Sequence, residues 1–106
     1  MIGNLKAVKR FTFGTDKTWS EVATVTAPEQ SVNAPGAIAG RFYLIQKPTY
    51  QTGLAYNPVA RCDSDGVLKV QFINPTAGGI TPTAAQAWVG VCLDLEIDAS
   101  QNNAST

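Results

Sequence analysis

Residues 88 to 97 read WVGVCLDLEI, and this stretch indicates the fold class most clearly. Apolar residues alternate along it with polar or small ones at a period of two, which predicts a β-strand with one buried and one wet face. The residues expected on the buried face are Val89, Val91, Leu93, Leu95 and Ile97. Gly90, Cys92, Asp94 and Glu96 are then expected on the outward face, where the two carboxylates meet solvent.

A second strand with one apolar face is predicted from residues 66 to 74, which read GVLKVQFIN. Leu68, Val70 and Phe72 alternate there with polar residues, so we expect these three side chains in the core. Residues 63 to 66, DSDG, precede this strand, and an Asp-Gly pair favours a tight turn because glycine adopts a positive φ at low cost. The sequence therefore predicts a β-hairpin at this turn.

Four further runs are rich in β-branched, aromatic or aliphatic residues and are predicted as strands. They are residues 6–13 (KAVKRFTF), 19–26 (WSEVATVT), 41–46 (RFYLIQ) and 54–62 (LAYNPVARC). The first of these forms either a strand or an arm. Pro58 interrupts the last run, and because proline lacks the N–H that a ladder requires, it indicates an edge strand or a bulge.

The number and spacing of these runs predict an all-β fold, a single small antiparallel β-sandwich or barrel-like domain. No segment of useful length shows the 3.6-residue periodicity of an amphipathic helix. Long loops rich in Pro, Gly and Ala are expected at residues 27–40 and 74–87. We expect an N-terminal arm or first strand at residues 1–13, the β-domain at 14–98 and a flexible polar tail at 99–106.

The charges are balanced in number but uneven in position. The chain of 106 residues has eight basic and eight acidic side chains, which argues against nucleic-acid binding because phosphate contacts require surplus Lys and Arg. Lys6, Lys9 and Arg10 lie near one end, and the acidic residues of 94–98 lie near the other. Either head-to-tail contacts between copies use this polarity, or the two ends are neighbours in one subunit and neutralise each other.

No membrane partner is expected, because no apolar run is long enough to cross a bilayer. Polar residues also interrupt the opening stretch where a secretory signal would place its apolar region, so the product is expected to stay in the cytoplasm of the producing cell. Cys62 and Cys92 lie in predicted strands and are expected to be reduced structural thiols. A pair on adjacent strands that oxidises after cell lysis is the alternative.

Few residues in the chain bear chemistry. There is no His, which removes the usual general base at neutral pH and the commonest metal ligand. Asp63 and Asp65 form a weak calcium-loop pattern, but the positions that follow lack further oxygen ligands. Asp94 and Glu96 share an expected solvent face, where nothing raises a pKa as glycoside hydrolysis requires. We therefore expect no catalytic residue, no metal and no cofactor, and a protein that is not an enzyme.

Residues 53 to 91 carry a more specific pattern, GLAYNPVARCDSDGVLKVQFINPTAGGITPTAAQAWVGV. It resembles small β-sandwich head proteins of tailed bacteriophages, in which a Gly-Leu lead and an Ala-Arg strand precede a polar turn, a strand ending Phe-x-Asn-Pro-Thr-Ala-Gly, an Ile-Thr-Pro loop and a closing strand. The matching residues are Gly53, Leu54, Ala60, Arg61, Phe72, Asn74, Pro75, Thr76, Ala77, Gly78, Ile80, Thr81 and Pro82. The chain departs from the pattern at Cys62 and at residues 86–88.

The resemblance is to capsid decoration, or cement, proteins and implies a structural virion protein. Such a protein binds the outer surface of a phage head as an oligomer, commonly a homotrimer, and stabilises the head. The implied partners are further copies of the chain and the major capsid protein, and the implied location is the capsid surface after synthesis in the host bacterial cytoplasm. The alternative is a head-fibre or appendage domain that binds a host-surface glycan or receptor. Its candidate stacking residues are Trp19, Tyr43, Tyr50, Tyr56 and Trp88.

The residues expected to contact other subunits belong to the basic, aromatic opening segment and to the two loops rich in Pro, Gly and Ala. They are Lys6, Lys9, Arg10, Phe11, Phe13, Pro35, Ile38, Asn74, Pro75, Ile80 and Pro82. Loops with so many small apolar residues are expected to lie flat on the domain or to pack against a neighbour. The opening segment is the expected contact with the capsid.

Overall fold

The computed structural model describes the backbone of residues 3–97 and the side chains of residues 10–92. This part of the chain contains no helix and forms seven β-strands. Their bounds are β1 Gly3–Phe13, β2 Glu29–Asn33, β3 Tyr43–Gln46, β4 Ala55–Tyr56, β5 Val59–Ser64, β6 Val67–Ile73 and β7 Trp88–Ile97. The tail predicted at residues 99–106 lies outside the described residues.

The strands form one antiparallel sheet that curls into a half-barrel, which confirms the predicted all-β fold class. Their order is β1-β7-β3-β5-β6-β2, and β4 pairs with β6. β1 and β7 pair along their whole lengths, from Gly3 opposite Ile97 to Phe13 opposite Trp88. The basic opening segment and the acidic closing segment are therefore neighbouring strands of one subunit, which is the second of the two arrangements expected from the charges.

The hairpin predicted at residues 63–66 is confirmed. It joins β5 to β6 with Ser64 opposite Val67, and Gly66 has the positive φ of 80° that the turn requires. Pro58 lies in the gap between β4 and β5, and its carbonyl accepts a hydrogen bond from Ile45 N at 2.8 Å. Because β5 has β3 on one side and β6 on the other, Pro58 marks an interruption of the strand and not an edge of the sheet.

The core lies on the inner side of the curled sheet. Leu68, Val70 and Phe72 of β6 are fully buried, as the alternation predicts. Trp88 is the central ring, with its centroid 5.2 Å from Tyr56 and 5.9 Å from Phe72. The sheet is single, so the open side of this aromatic cluster is covered by loops of the same chain and not by a second sheet.

The prediction of which side of β7 faces the core is wrong. Trp88, Gly90 and Cys92 are buried, whereas Val89 and Val91 are only half-buried on the opposite side of the strand. Val89 and Val91 therefore lie on the outer side of the sheet.

The cause is the register of the neighbouring strands. Cys92 lies opposite Tyr43 and Gly90 lies opposite Ile45, and directly opposed residues share one face of a sheet. Gly90 also leaves room for an aromatic ring, since an added Cβ would lie 2.5 Å from Cζ of Phe11. Gly90 therefore faces the core, although the alternation of apolar and polar residues predicts that it faces solvent.

Residues 19–26, predicted as a strand, do not form one. Trp19 and Val22 are both buried, a spacing of three that strand alternation does not produce, and Val25 has a φ of 51° that ends any extended run. The segment pairs with the loop of residues 74–87 through isolated bridges of Val22 with Ile80 and of Thr26 with Asn74. It is a covering loop that places a tryptophan over the open side of the core.

The predicted loop at residues 27–40 contains an unpredicted strand, β2, which pairs with β6. This strand is short and polar, so its sequence has little strand character. Its Gln30 side chain donates to Ser20 O and accepts from Ser20 N, both at 2.8 Å. These two bonds tie the covering loop to the edge of the sheet. Residues 74–87 form a loop without a strand, as predicted.

Candidate interaction surfaces

Among the described side chains, no group of three or more His, Cys, Asp and Glu is arranged to hold a metal ion. Asp63 of the weak calcium pattern lies 2.9 Å from Arg61 Nη1, and Asp65 accepts a hydrogen bond from Ala39 N at 2.9 Å. Both carboxylates thus serve the local turn. No helix in the described range is long and apolar enough to cross a membrane.

Asn74, one of the expected contact residues, is 1% exposed and organises the loop that follows β6. Its Nδ2 donates to Val22 O and to Gly78 O, each at 2.9 Å. Its Oδ1 accepts from Thr76 N at 2.9 Å and from Thr76 Oγ1 at 2.6 Å. The Asn-Pro-Thr motif therefore encodes a buried hydrogen-bond hub, and assigning Asn74 to an intersubunit contact is corrected.

Phe13 and Pro82 are also buried within the subunit and are not available to a partner. The Phe13 ring lies 5.9 Å from that of Trp88, at the point where β1 enters the core. Sequence analysis placed them at an interface because it could not distinguish an uncovered apolar loop from one that packs on its own domain.

Four other expected contact residues do meet in one place. Arg10, Phe11, Pro35 and Ile38 line a groove of about 390 Å³, whose other walls include Arg41. Neither Arg10 nor Arg41 forms an ion pair with another residue of the described range. The groove therefore combines apolar walls with two guanidinium groups.

The floor of this groove is fixed by Tyr43. The Tyr43 hydroxyl accepts a hydrogen bond from Ile38 N at 2.8 Å and so holds the loop of residues 34–41 against the sheet. Burial raises the pKa of this phenol, so it stays protonated at neutral pH. The phenol is therefore a neutral anchor for the loop.

The remaining expected residues fall elsewhere. Pro75 borders a shallow apolar groove of about 260 Å³ together with Val25 and Ile73, and Ile80 is half-buried beside Gly53. Lys6 and Lys9 lie on β1, but their side chains are outside the described set. Lys6 occupies the register irregularity between Leu5 and Ala7. The predicted residues thus do not form one continuous surface.

A different surface, which sequence analysis did not find, lies on the outer side of the sheet. Val91, Leu44 and Val59 are directly opposed on β7, β3 and β5, and Leu44 and Val59 are 47% and 38% exposed. Phe42, just before β3, is 81% exposed, and Val89 continues the alternation along β7. We call this set the outer apolar face: Phe42, Leu44, Val59, Val89 and Val91.

The two lateral ends of this face differ in charge. Arg10 of β1 lies opposite Val91 and continues the same cross-strand row. At the other end, Arg61 contacts Glu29 through two bonds of 2.8 Å and Asp63 through one of 2.9 Å. The hydrogen bond from Arg61 holds the pKa of Glu29 below its ordinary value, so this carboxylate remains charged near neutral pH. Lys69 of β6 lies directly opposite Arg61, so the two cations and the two carboxylates at this end balance.

Cys62 and Cys92 are both buried. Cys62 lies on β5 and Cys92 on β7, with β3 between them, so they are not a pair on adjacent strands. Burial raises the pKa of the Cys62 thiol, and its Sγ lies 3.3 Å from Ser64 O. This thiol is suited to packing and not to nucleophilic chemistry.

The aromatic residues considered for glycan stacking do not share a surface. Trp19, Trp88 and Tyr43 are at most 2% exposed, and Tyr56 is half-buried with its hydroxyl accepting from Lys47 N. Tyr50 is 86% exposed in the loop after β3. A stacking platform needs several exposed rings side by side, which this arrangement does not supply.

Comparison of the chain with models of known protein families, with curated proteins and with solved structures gave no match. The arginine-lined groove and the outer apolar face are the candidate interaction surfaces among the described residues.

Proposed function

We propose that this chain is a structural virion protein, a decoration or cement protein that binds the outer surface of a tailed-phage head as an oligomer, a homotrimer in the simplest case. The observation that carries the proposal is the outer apolar face. A single curled sheet presents apolar side chains on the side that its own loops do not cover, so other protein subunits are needed to cover them. The resemblance of residues 53–91 to tailed-phage head proteins is the reason for proposing a phage head as the partner.

Such a protein would act by mass action and not by chemistry. Binding to the assembled head and not to its separated subunits adds the binding free energy to the stability of the head. Attachment through several subunits of one oligomer makes release slow even when each contact is weak. The arginine-lined groove is the proposed capsid contact, because its two guanidinium groups suit an acidic capsid segment next to an apolar one.

The test is binding to purified heads that lack their decoration protein. The expected result is saturable binding with a copy number comparable to that of the capsid protein, and heads that withstand higher temperature when loaded. Binding of a few copies at one vertex would support an appendage role instead, and no binding would reject the proposal.

Removing residues 1–13 would not test the capsid contact, because β1 pairs with β7 along its length and Phe13 belongs to the core. Point variants are cleaner. Arg41→Glu is expected to reduce head occupancy, because Arg41 is exposed in the groove. Lys69→Glu on β6 is the matched control and should retain occupancy. Equal occupancy of the two variants would exclude the groove as the contact.

A further inference from the structure

The two longest strands, β1 and β7, extend past the rest of the sheet. They pair with each other along their whole lengths, whereas the four residues of β3 pair with β7 only at positions 89–92. Within the described backbone, residues 93–97 therefore have β1 as their only neighbouring strand, and β1 is itself an edge strand. We call the paired segments 3–8 and 93–97 the β1–β7 ribbon. Both of its edges present backbone N–H and C=O groups to a further strand, and a ribbon of two strands is at best marginally stable in water.

A β-bulge aligns the apolar residues of the ribbon. Leu5 lies opposite Leu95 in the register. Val8 lies opposite Leu93, and the register shifts at Lys6 between these two pairs. Leu5 and Val8 are three positions apart, so an unbroken alternation would place them on opposite faces of the ribbon. The extra residue brings both positions onto the face that positions 93 and 95 share. Because a bulge interrupts the ladder, its place here indicates that this face packs against a partner.

The charges of the two strands indicate which strand lies beside each open edge. Lys6 is the only charged residue of segment 3–8, and Asp94 and Glu96 are the only charged residues of segment 93–97. Pairing β1 with β1 of another copy, or β7 with β7, would set like charges against each other, which destabilises a sheet. Pairing β1 of one copy with β7 of the next makes basic and acidic strands alternate. The charges therefore favour a head-to-tail contact between copies.

Head-to-tail pairing of this kind closes into a ring. In a cyclic assembly whose axis runs along the ribbons, all β1 strands run one way and all β7 strands the other, so each new pair is antiparallel, as it is within one subunit. A closed ring leaves no open edge, and the apolar faces of the ribbons meet inside it. A partner that lay flat on the apolar face would leave both edges unpaired. A second copy is therefore the occupant that satisfies the edges and the face together.

We propose that the β1–β7 ribbons of neighbouring copies of this chain pair edge to edge into a closed antiparallel barrel, with residues 3–8 of one copy beside residues 93–97 of the next. This deepens the proposed function by naming the contact that holds the oligomer together, and it rests on that function only for the number of copies. Each copy contributes its two ribbon strands to the barrel.

The first test measures the mass of the full chain by sedimentation equilibrium and light scattering. Leu95→Gln is the probing variant, because position 95 is on the apolar face of the ribbon and beyond the reach of β3. Glu96→Gln is the matched control, since it introduces the same residue at the next position, on the other face. Far-UV circular dichroism and thermal unfolding establish that each variant is folded, and Leu93→Gln replaces Leu95→Gln if the latter is not.

The expected result is an oligomeric wild type, with a dissociation constant about 10- to 100-fold higher for Leu95→Gln because burial of a leucine side chain is lost. Loss of one exposed charge in Glu96→Gln should raise the dissociation constant by no more than about fivefold. A wild type that stays monomeric at high concentration would overturn the inference. A Leu95→Gln variant that dissociates no more readily than Glu96→Gln would overturn it as well.

Hydrogen exchange tests the edge pairing directly. In a ribbon of two strands, about every second amide of each strand points to the open edge and exchanges, whereas in a closed barrel both edges are bonded. The amides of residues 93–97 should all be protected in the wild-type oligomer, and only about half of them in Leu95→Gln. A wild-type oligomer in which half of these amides exchange rapidly would show that the edges do not pair.

These outcomes are separate from the head-binding test. An oligomer with a protected ribbon that ignores phage heads would refute the proposed function and leave the barrel intact. A monomer that binds phage heads would do the reverse.

Discussion

The Asn74→Ala substitution removes a buried amide that joins the loop after β6 to the covering loop. Two donor bonds are lost, to Val22 O and Gly78 O at 2.9 Å, and two acceptor bonds, from Thr76 N and Oγ1. Part of the loss is compensated in place. Val22 O still accepts from Ile80 N at 3.0 Å. The one hydroxyl proton of Thr76, released from Asn74 Oδ1, donates to Gly78 O, which lies 2.9 Å from Thr76 Oγ1, and Thr76 is half-exposed to water.

Four hydrogen bonds at about 0.5–1.5 kcal/mol each give a range of about 2–6 kcal/mol, and the retained partners place the expected loss near 3 kcal/mol. The assay is urea unfolding followed by the fluorescence of the buried Trp19 and Trp88. Asn33→Ala on exposed β2 is the control and should change the free energy of unfolding by less than about 0.5 kcal/mol. If Asn74→Ala lowers the free energy of unfolding by less than about 1 kcal/mol, Asn74 is not a hydrogen-bond hub that stabilises the fold.

Asn74→Asp separates the donor role from the acceptor role at the same position. The acceptor oxygen remains, but a carboxylate replaces the amide that now donates to Val22 O and Gly78 O at 2.9 Å. Burial against two carbonyl oxygens raises the pKa of the new carboxyl, so the variant should be less destabilised at pH 4 than at pH 7. An equal loss of unfolding free energy at both pH values would show that the two donor bonds of Asn74 do not stabilise the fold.

Three further predictions concern single contacts. Gly90→Ala places a Cβ 2.5 Å from Cζ of Phe11 and should cost about 1–3 kcal/mol of unfolding free energy in the same urea assay; an unchanged midpoint would exclude the close packing. Thiol labelling of Cys62 should be slow in the native protein and fast in urea, because the thiol is buried and its pKa is raised; rapid native labelling would contradict this. The Arg61–Glu29 ion pair stabilises the fold while Glu29 is charged, and this stabilisation is lost as pH falls below 4.5, the ordinary pKa of Glu. The difference in unfolding free energy between wild type and Arg61→Gln should therefore be larger at pH 7 than at pH 3.

The sequence by itself determined the parts of the fold that depend on local chemistry. The Asp-Gly turn places a glycine with positive φ between β5 and β6, and the alternation around Phe72 fixes which side of β6 is buried. The absence of His set a strict limit on catalytic chemistry. Pro58 was expected at an edge strand or a bulge because proline lacks the ladder donor, and it lies instead in the gap between β4 and β5.

The contact residues were only partly predictable. Arg10 and Ile38 were expected at a surface and line the groove, but Asn74 is a hub inside the domain. An amide next to a proline in a small, uncharged loop looks the same in sequence whether a neighbour or its own chain accepts its hydrogen bonds. Only the position of the covering loop decides between them, since Val22 O lies 52 residues away along the chain.

Tertiary structure alone decided which side of β7 faces the core. A period of two shows that a strand has two unlike faces, but the inward face is chosen by the register with Tyr43 of β3 and by the room that Gly90 leaves for the Phe11 ring. These contacts join residues distant in sequence, so no local pattern contains them. The outer apolar face therefore became visible only once the sheet was assembled.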